Sequence, residues 1–475
     1  MTGKALRRSS YLCCHTQNVM KALLVSTYEL GRQPFGLASP AAWLRNAGVD
    51  VACLDLSQVK LDEKAVREAD LIATYVPMHT ATRIAMNLFE KVKLLNPRAH
   101  LCAYGLYAPL NEELLRKMGV STILGGEFEE GLLSLAHGLN KGEQTGANVQ
   151  SQPLISLTRQ KFLIPDRAGL PPLDRYANLI LPDGTHQTVG YTEASRGCKH
   201  LCRHCPIVPV YKGQFRVIQR DVVLGDVRYQ VAQGARHITF GDPDFFNGIR
   251  HAVELVRAIH QEFPHLTYDV TIKVEHLLKH AEHLQTLKET GCAFVISAVE
   301  AVDDRILAIF DKGHTRADFI KVVELCREIG LVLVPTFVAF TPWITLEGYE
   351  DLLETLADLD LIEHLPPIQL AIRLLIPAGS RLLELPDVRA NVGPFNEAAL
   401  SYRWTHPDQR VDVLQRDIEQ MVLKATAAGA SRRQIFHRAW KLVQRALDHS
   451  GKLLSDTSPC LPRAAVPYLN EPWYC

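Results

Sequence analysis

The hydrophobic pattern changes period along the chain. From Met20 onward, short apolar runs alternate with segments whose apolar residues recur three and four apart. Residues 21–26, 49–56, 70–76, 101–106 and 120–124 read as strands. Between them a helix begins over 41–46, a short one covers 63–68, and an amphipathic one covers 81–95, stopped by Asn96 and Pro97. Residues 111–118 supply the last crossover. Crossovers of this length join parallel strands. Residues 20–140 are therefore expected to form a Rossmann-like parallel sheet covered by helices, with any ligand at the carboxyl ends of the strands. No GxGxxG follows the first strand, which argues against a nicotinamide dinucleotide.

After a linker over 141–186, the alternation resumes with strands expected at 188–192, 237–240, 268–274, 293–298, 332–340 and 369–375. Six β/α units within 187–395 would curl into a partial TIM-type barrel, again with functional groups at the carboxyl ends. Residues 396–455 read as C-terminal helices. Their basic residues Arg432, Arg433, His437, Arg438, Lys441 and Arg445 are expected on a solvated face. Residues 1–19 carry no such pattern and read as a disordered tail or an overcalled start; 456–475 are a Pro-rich tail. The fold class is thus α/β throughout, ending in helices.

Charge changes the picture little. Lysine plus arginine equals aspartate plus glutamate at 52 each, which gives no support for a nucleic-acid or membrane-surface binder. No apolar run reaches the ~18 residues that cross a bilayer, and no secretory signal opens the chain. A cytoplasmic protein is expected. Cysteine changes the picture more. Eleven cysteines, an odd number, argue for a reducing compartment over a disulfide scaffold. Cys53, Cys102, Cys292 and Cys326 stand alone in apolar segments and are expected to pack as small hydrophobes. Cys13 and Cys14 receive no role. Cys198, Cys202 and Cys205 are clustered as C-x3-C-x2-C behind Gly197. Such spacing lets one loop offer three soft sulfurs to an iron–sulfur cluster and leave one iron open. A zinc site completed by His200 or His204 is the alternative reading of the same residues.

The cysteine spacing resembles the signature of the radical S-adenosylmethionine (SAM) superfamily. The resemblance implies a [4Fe–4S] cluster on Cys198, Cys202 and Cys205, with SAM chelated at the open iron and cleaved reductively. His204 stands where the family usually has an aromatic residue. Downstream, Gly241-Asp242-Pro243 is similar to the family's Gly-Glu segment that holds the methionine amino group, with aspartate for glutamate. Ser297 and Glu300 resemble the residues that meet the ribose and methionine groups, and Lys273 closes the preceding strand. Residues 311–315, Asp-Lys-Gly-His-Thr, match the usual turn before a helix. The 20–140 unit resembles the cobalamin-binding-like domain of one subclass, so cobalamin is admitted as a further cofactor. Its first loop contains no histidine to ligate cobalt.

The tail from Cys460 to the Glu-Pro-Trp-Tyr-Cys475 ending resembles radical SAM enzymes with a CUAEP/CCAEP tail. That resemblance implies that the product continues past Cys475 through a selenocysteine codon. Its two tyrosines and Trp473 imply a tail that docks. The expected function is a radical SAM enzyme acting on a small molecule, a transferase such as a cobalamin-dependent methyltransferase, served by flavodoxin or ferredoxin as electron donor. Two alternatives stand beside it: SAM-dependent transfer of a 3-amino-3-carboxypropyl group to arsenic, and a non-catalytic iron–sulfur redox module.

Overall fold

The computed structural model describes residues 19–141, 153–448 and 466–470. Cys13, Cys14, Cys460, Trp473, Tyr474 and Cys475 lie outside the described residues.

The first unit is a parallel sheet of β1 (Lys21–Ser26), β2 (Asp50–Asp55), β3 (Leu71–Tyr75), β4 (His100–Tyr104), β5 (Thr122–Gly126) and β6 (Ile155–Ser156). Its spatial order is β2-β1-β3-β4-β5-β6, and every pairing is parallel. Strands β3 and β5 are buried along their whole length, as expected for a sheet covered on both faces. The chain order reverses between β1 and β3, and ligands of such sheets bind at that point, beyond the carboxyl ends.

One helix starts earlier than its pattern suggested. It runs Phe35–Asn46 with Pro40 inside. Proline has no N–H to offer the carbonyl four residues back, that of Gly36. The Tyr104 hydroxyl, from the end of β4, donates to that carbonyl at 2.8 Å instead. A tertiary contact thus lets the helix continue through a residue that usually ends one.

The second unit begins with an antiparallel pair, β7 (Asn178–Ile180) and β8 (His186–Thr192), and a small hairpin of β9 (Ser195–Gly197) with β10 (Phe215–Val217). Then come β11 (His237–Phe240), β12 (Thr267–Thr271), β13 (Cys292–Glu300) and β14 (Leu333–Phe337). Strands β8, β11, β12, β13 and β14 pair in parallel, in that order. They curl into a half-barrel. The sixth strand expected over 369–375 is reduced to one bridge between Phe340 and Arg373, preceded by a 3-10 turn over Pro367–Leu370. Strand β12 also ends early. Lys273 caps the helix Val274–Lys279 rather than closing a strand.

A hairpin of β15 (Val392–Asn396) and β16 (Ser401–Trp404) leads to the helices Gln409–Ala427 and Arg432–Ala446. The expectation of a solvated basic face fails at Arg433. It is 4% exposed and lies 3.5 Å from Glu363, because this helix packs on the half-barrel. In the tail, β17 (Tyr468–Leu469) adds antiparallel to β7, and the Arg432 guanidinium lies 4.6 Å over the Tyr468 ring. Among the described residues, no helix is long and apolar enough to cross a membrane.

Buried polar contacts join the two units. Arg167, in the segment expected to be a linker, is 3% exposed. It donates to both oxygens of Asp226 at 2.8 and 2.9 Å, to Gln33 and to the Tyr191 carbonyl. Tyr176 donates to Asp55 at 2.8 Å. The carboxyl edges of the two sheets are thereby turned toward each other.

Candidate active site

The loop from Cys198 to Cys205 leaves β9 at the carboxyl edge of the half-barrel. Gly197 takes φ +73°, and a Cβ there would meet Tyr211 at 2.4 Å, so glycine is required on both counts. The loop is pinned from outside: the Arg203 N–H donates to the Phe310 carbonyl, and the Leu382 N–H donates to the Arg203 carbonyl. All three thiols are free, and Cys202 is buried. The other free cysteines among the described residues, Cys53, Cys102, Cys292 and Cys326, lie in the two apolar cores. The donor set is therefore three soft sulfurs on one loop. Burial pushes the Cys205 thiol up to about 12, with Lys312 opposing it. A thiolate in such a place is favoured by positive charge, which iron supplies.

Two carboxylates, the buried Asp244 and the half-buried Glu300, hold the loop's histidines. Asp244 Oδ2 lies 3.1 Å from His200 Nε2 and 2.7 Å from His276 Nδ1. Burial acts to raise its carboxyl, but hydrogen bonds from both histidines prevail and hold it at about 2. Ligand atoms of Cys198, His200 and Asp244 lie within 4.8 Å of one another. On the other side, Glu300 Oε1 is 3.1 Å from His204 Nε2 and 3.4 Å from Lys312 Nζ. Burial again opposes, and Lys312 with His204 brings the Glu300 carboxyl down to about 2. Glu300 sits at φ +73°, a strained conformation for a residue with a side chain, held by these two contacts. The two histidines that would complete a zinc site thus have their Nε2 atoms engaged by carboxylates.

The sequence singled out Gly241, Asp242, Pro243, Lys273, Ser297 and Glu300. Gly241 and Pro243 line a cleft beside the cysteine loop, and a Cβ on Gly241 would meet the Tyr191 hydroxyl at 1.9 Å. The Asp242 carboxylate turns away into the preceding loop. It accepts from the Ala194 N–H at 2.9 Å and the Ser195 hydroxyl at 2.5 Å. Burial pushes this carboxyl up to about 7, against those two donors. Ser297 is fully buried, and its Oγ has no hydrogen-bond partner among the described residues. Lys273 Nζ lies 3.3 Å from Glu275, which is 3.6 Å from His200. His276, Glu275 and Lys312 were not singled out as site residues. Histidine and glutamate just after an expected strand end were the available signal.

The cleft, about 220 Å³, separates the carboxyl edges of the two sheets. From the first unit come Glu29, Tyr75 and Phe128; from the second come Tyr191, Glu193 and Arg196. Arg196 is buried behind it. Its guanidinium meets Glu129 through two contacts at 2.7 and 3.0 Å, Glu193 at 2.6 Å and Glu127 at 3.4 Å. Burial, with Glu129 and Glu193 nearby, pushes the Glu127 carboxyl up to about 7 despite Arg196.

Residues 192–359 match the model of the radical SAM superfamily. Those residues form a radical SAM domain. A radical SAM domain implies a [4Fe–4S] cluster and SAM, and the three-thiol loop fits that cluster. Among curated proteins, the chain is 26% identical over 190 residues to a tRNA-2-methylthio-N(6)-dimethylallyladenosine synthase of Sulfurihydrogenibium sp. (strain YO3AOP1), covering 36% of this chain and 40% of that protein. It is 19% identical over 285 residues to the threonylcarbamoyladenosine tRNA methylthiotransferase MtaB of Aquifex aeolicus (strain VF5), covering 58% and 63%. The chain thus spans less than two thirds of these relatives. Both are named for reactions on tRNA, which weakly opposes the expectation that no nucleic acid is involved. Among solved structures, the radical SAM methyltransferase TsrM of Kitasatospora setae, with cobalamin and a [4Fe–4S] cluster bound, matches at TM-score 0.56 and 18% identity, over 72% of this chain and 70% of that one. The cobalamin-dependent radical SAM enzyme OxsB, with aqua-cobalamin bound, matches at TM-score 0.64 and 12% identity, over 86% and 67%. These likenesses show the shared fold, an open parallel sheet followed by a half-barrel.

Proposed function

We propose that this chain is a radical SAM enzyme that acts on a small molecule held in the cleft between its two units. The observation that carries the reading is the placement of the cleft: Ser195, Arg196 and Gly197, just before the first cysteine, form part of its wall, as do Gly241 and Pro243. Cys198, Cys202 and Cys205 would hold the cluster. A [4Fe–4S] cluster there would supply the electron that cleaves the sulfonium bond of SAM.

The chain's own residues have distinct parts in this reading. Asp244 fixes His200, and Glu300 fixes His204, so both ends of the cysteine loop are held from the half-barrel floor. Lys312 places a buried ammonium close enough to Cys202 and Cys205 to interact with their charge, and would offset that of the thiolates. Ser297 Oγ, buried and without a hydrogen-bond partner among the described residues, would be satisfied by a polar group of SAM that reached it. Gly241 and Pro243 supply backbone at the edge of the cleft, and SAM would lie against them on the side of the cysteine loop. Asp242 serves this corner indirectly, by tying it to Ala194 and Ser195.

A small molecule is favoured over tRNA because the cleft lining, with Glu29 and Glu193 beside Arg32 and Arg196, offers no net positive charge to a phosphate backbone. TsrM and OxsB have been seen with cobalamin, but this cleft falls below the roughly 300–1,000 Å³ of ordinary small-molecule pockets. A corrinoid would require the two units to part, so no step is assigned to one.

Reconstituted, reduced protein incubated with SAM tests the reading. Formation of 5′-deoxyadenosine, lost together with iron in Cys202→Ala, is expected. Absence of any SAM cleavage product would favour a non-catalytic iron–sulfur module, and arsenite-dependent consumption of SAM without 5′-deoxyadenosine would favour aminocarboxypropyl transfer.

A further inference from the structure

Glu29 has no counterpart among the groups used so far. It lies in the loop after β1, at the reversal point of the first sheet, where such sheets receive ligands. Its residue is 6% exposed, it lines the cleft, and its Oε2 has no hydrogen-bond partner among the described residues. Leaving a buried polar oxygen unpaired costs about 1–3 kcal/mol, and more for a charged group.

The surroundings say what would pair with that oxygen. In and directly behind the cleft stand Glu29, Glu193, Glu127 and Glu129, against Arg32 and Arg196. Arg196 is already shared among Glu193, Glu127 and Glu129. Arg32 is held over the Tyr191 ring at 5.3 Å. The lining itself carries two carboxylates and two guanidiniums, and with Arg196 shared and Arg32 held against Tyr191, the Oε2 of Glu29 is the charged atom at the cleft that an entering cation would meet. Aromatic walls beside a carboxylate suit an ammonium group, which gains from the ring faces as well as from the charge. Tyr75 and Tyr211 present rings to the cleft with no cation recorded over them among the described residues. A volume of about 220 Å³ holds roughly seven waters at about 30 Å³ each, which is the scale of a free amino acid. Burial, and then Glu193 and Asp55, push the Glu29 carboxyl up, and an ammonium beside it would bring it back down.

We propose that the cleft binds a molecule of amino acid size through a protonated amine, and that Glu29 is the residue that receives it. This assignment names the substrate class for the function proposed above and rests on that reading of the cleft.

The test measures binding without turnover. The full chain, with its cluster reconstituted and oxidised and with saturating SAM present, is offered the twenty common L-amino acids and their N-acetyl derivatives. Saturation-transfer NMR reads binding. At least one free amino acid is expected to bind, with its N-acetyl form at least tenfold weaker. Glu29→Gln should weaken that binding tenfold or more, and Glu29→Asp should recover part of it. Glu29→Gln should also leave Tm unchanged or raised, because it removes an unpaired buried carboxylate. Binding by none of the panel, equal binding of the acetylated forms, or undiminished binding by Glu29→Gln would each overturn the proposal. So would a Tm loss of several degrees in Glu29→Gln, which would make the carboxylate a structural part of the fold. A protein that cleaves SAM but binds no panel member sinks the ligand assignment alone. One that binds but never cleaves SAM sinks the reaction.

Discussion

The two parallel sheets obey one topological rule and use it differently. At the carboxyl edge of the first sheet, the rings of Tyr75, Tyr104 and Phe128 pack at tilted angles, with centroids 5.0–5.8 Å apart. That edge is mostly a packed surface, and Glu127 and Glu129 there are spent on Arg196 from the other unit, which leaves Glu29 as its one group offered to the cleft in the reading above. At the carboxyl edge of the half-barrel, the buried Asp244, Lys273 and Lys312 and the half-buried Glu300 are arranged about a loop of three thiols. The first edge closes the molecule, and the second equips it. Chemistry concentrates where buried polar groups are only partly satisfied by the chain itself.

The comparison can be broken most sharply at the equipped edge. Cys202→Ala should reduce bound iron and 5′-deoxyadenosine formation to background, read by iron content and chromatography, while the fold persists by circular dichroism. At the closing edge, Arg196→Met should be the most damaging change. It strands the buried Glu127 and Glu129 and the half-buried Glu193, and losing one partner of such a cluster costs about 3–5 kcal/mol. Denaturant unfolding would check this; a loss below 1 kcal/mol would mean the junction is not held by charge. Tyr104→Phe is expected to cost about 1–3 kcal/mol, because it leaves the Gly36 carbonyl beside Pro40 without a donor.

A smaller effect follows from pH. The folded-state carboxyls of Asp242 and Glu127 are raised to about 7, while unfolded carboxyls titrate near 4. Between those values the folded state binds more protons, so stability should fall as pH rises from about 4.5 to 7.5. Unfolding of cluster-free protein across that window measures the slope, and Glu127→Gln should flatten it. The smallest expected change is Tyr176→Phe, about 0.5–1.5 kcal/mol for one hydrogen bond to Asp55.

Much of the fold was legible in the chain. The strands at Lys21–Ser26 and His237–Phe240 and the helix at Glu63–Glu68 fall where the pattern put them. Long apolar periodicity survives folding because it is the cause of burial. The misses have local reasons. Pro40 hid the first half of its helix, since the compensating hydroxyl comes from Tyr104, 64 positions on, counting from 40 to 104. The sixth strand of the half-barrel kept its apolar residues but turned at Pro367, leaving one bridge. Arg433 read as solvated because charge on a helix usually is; its partner Glu363 lies in another element.

By itself, then, the sequence determined the alternation of strands and helices, the two-part α/β plan and the three-thiol loop, because all of these depend on spacing along the chain. Tertiary structure alone decided what surrounds that loop. Asp242 was turned from the cleft to Ser195, while Asp244 and Glu300 took hold of the two loop histidines. It also brought Glu29, 169 positions before Cys198 when counted from 29 to 198, into a cleft that Gly197 helps to line. Such meetings depend on two sheets facing each other at their carboxyl ends, and burial and charge there are properties of the assembled interface rather than of either segment.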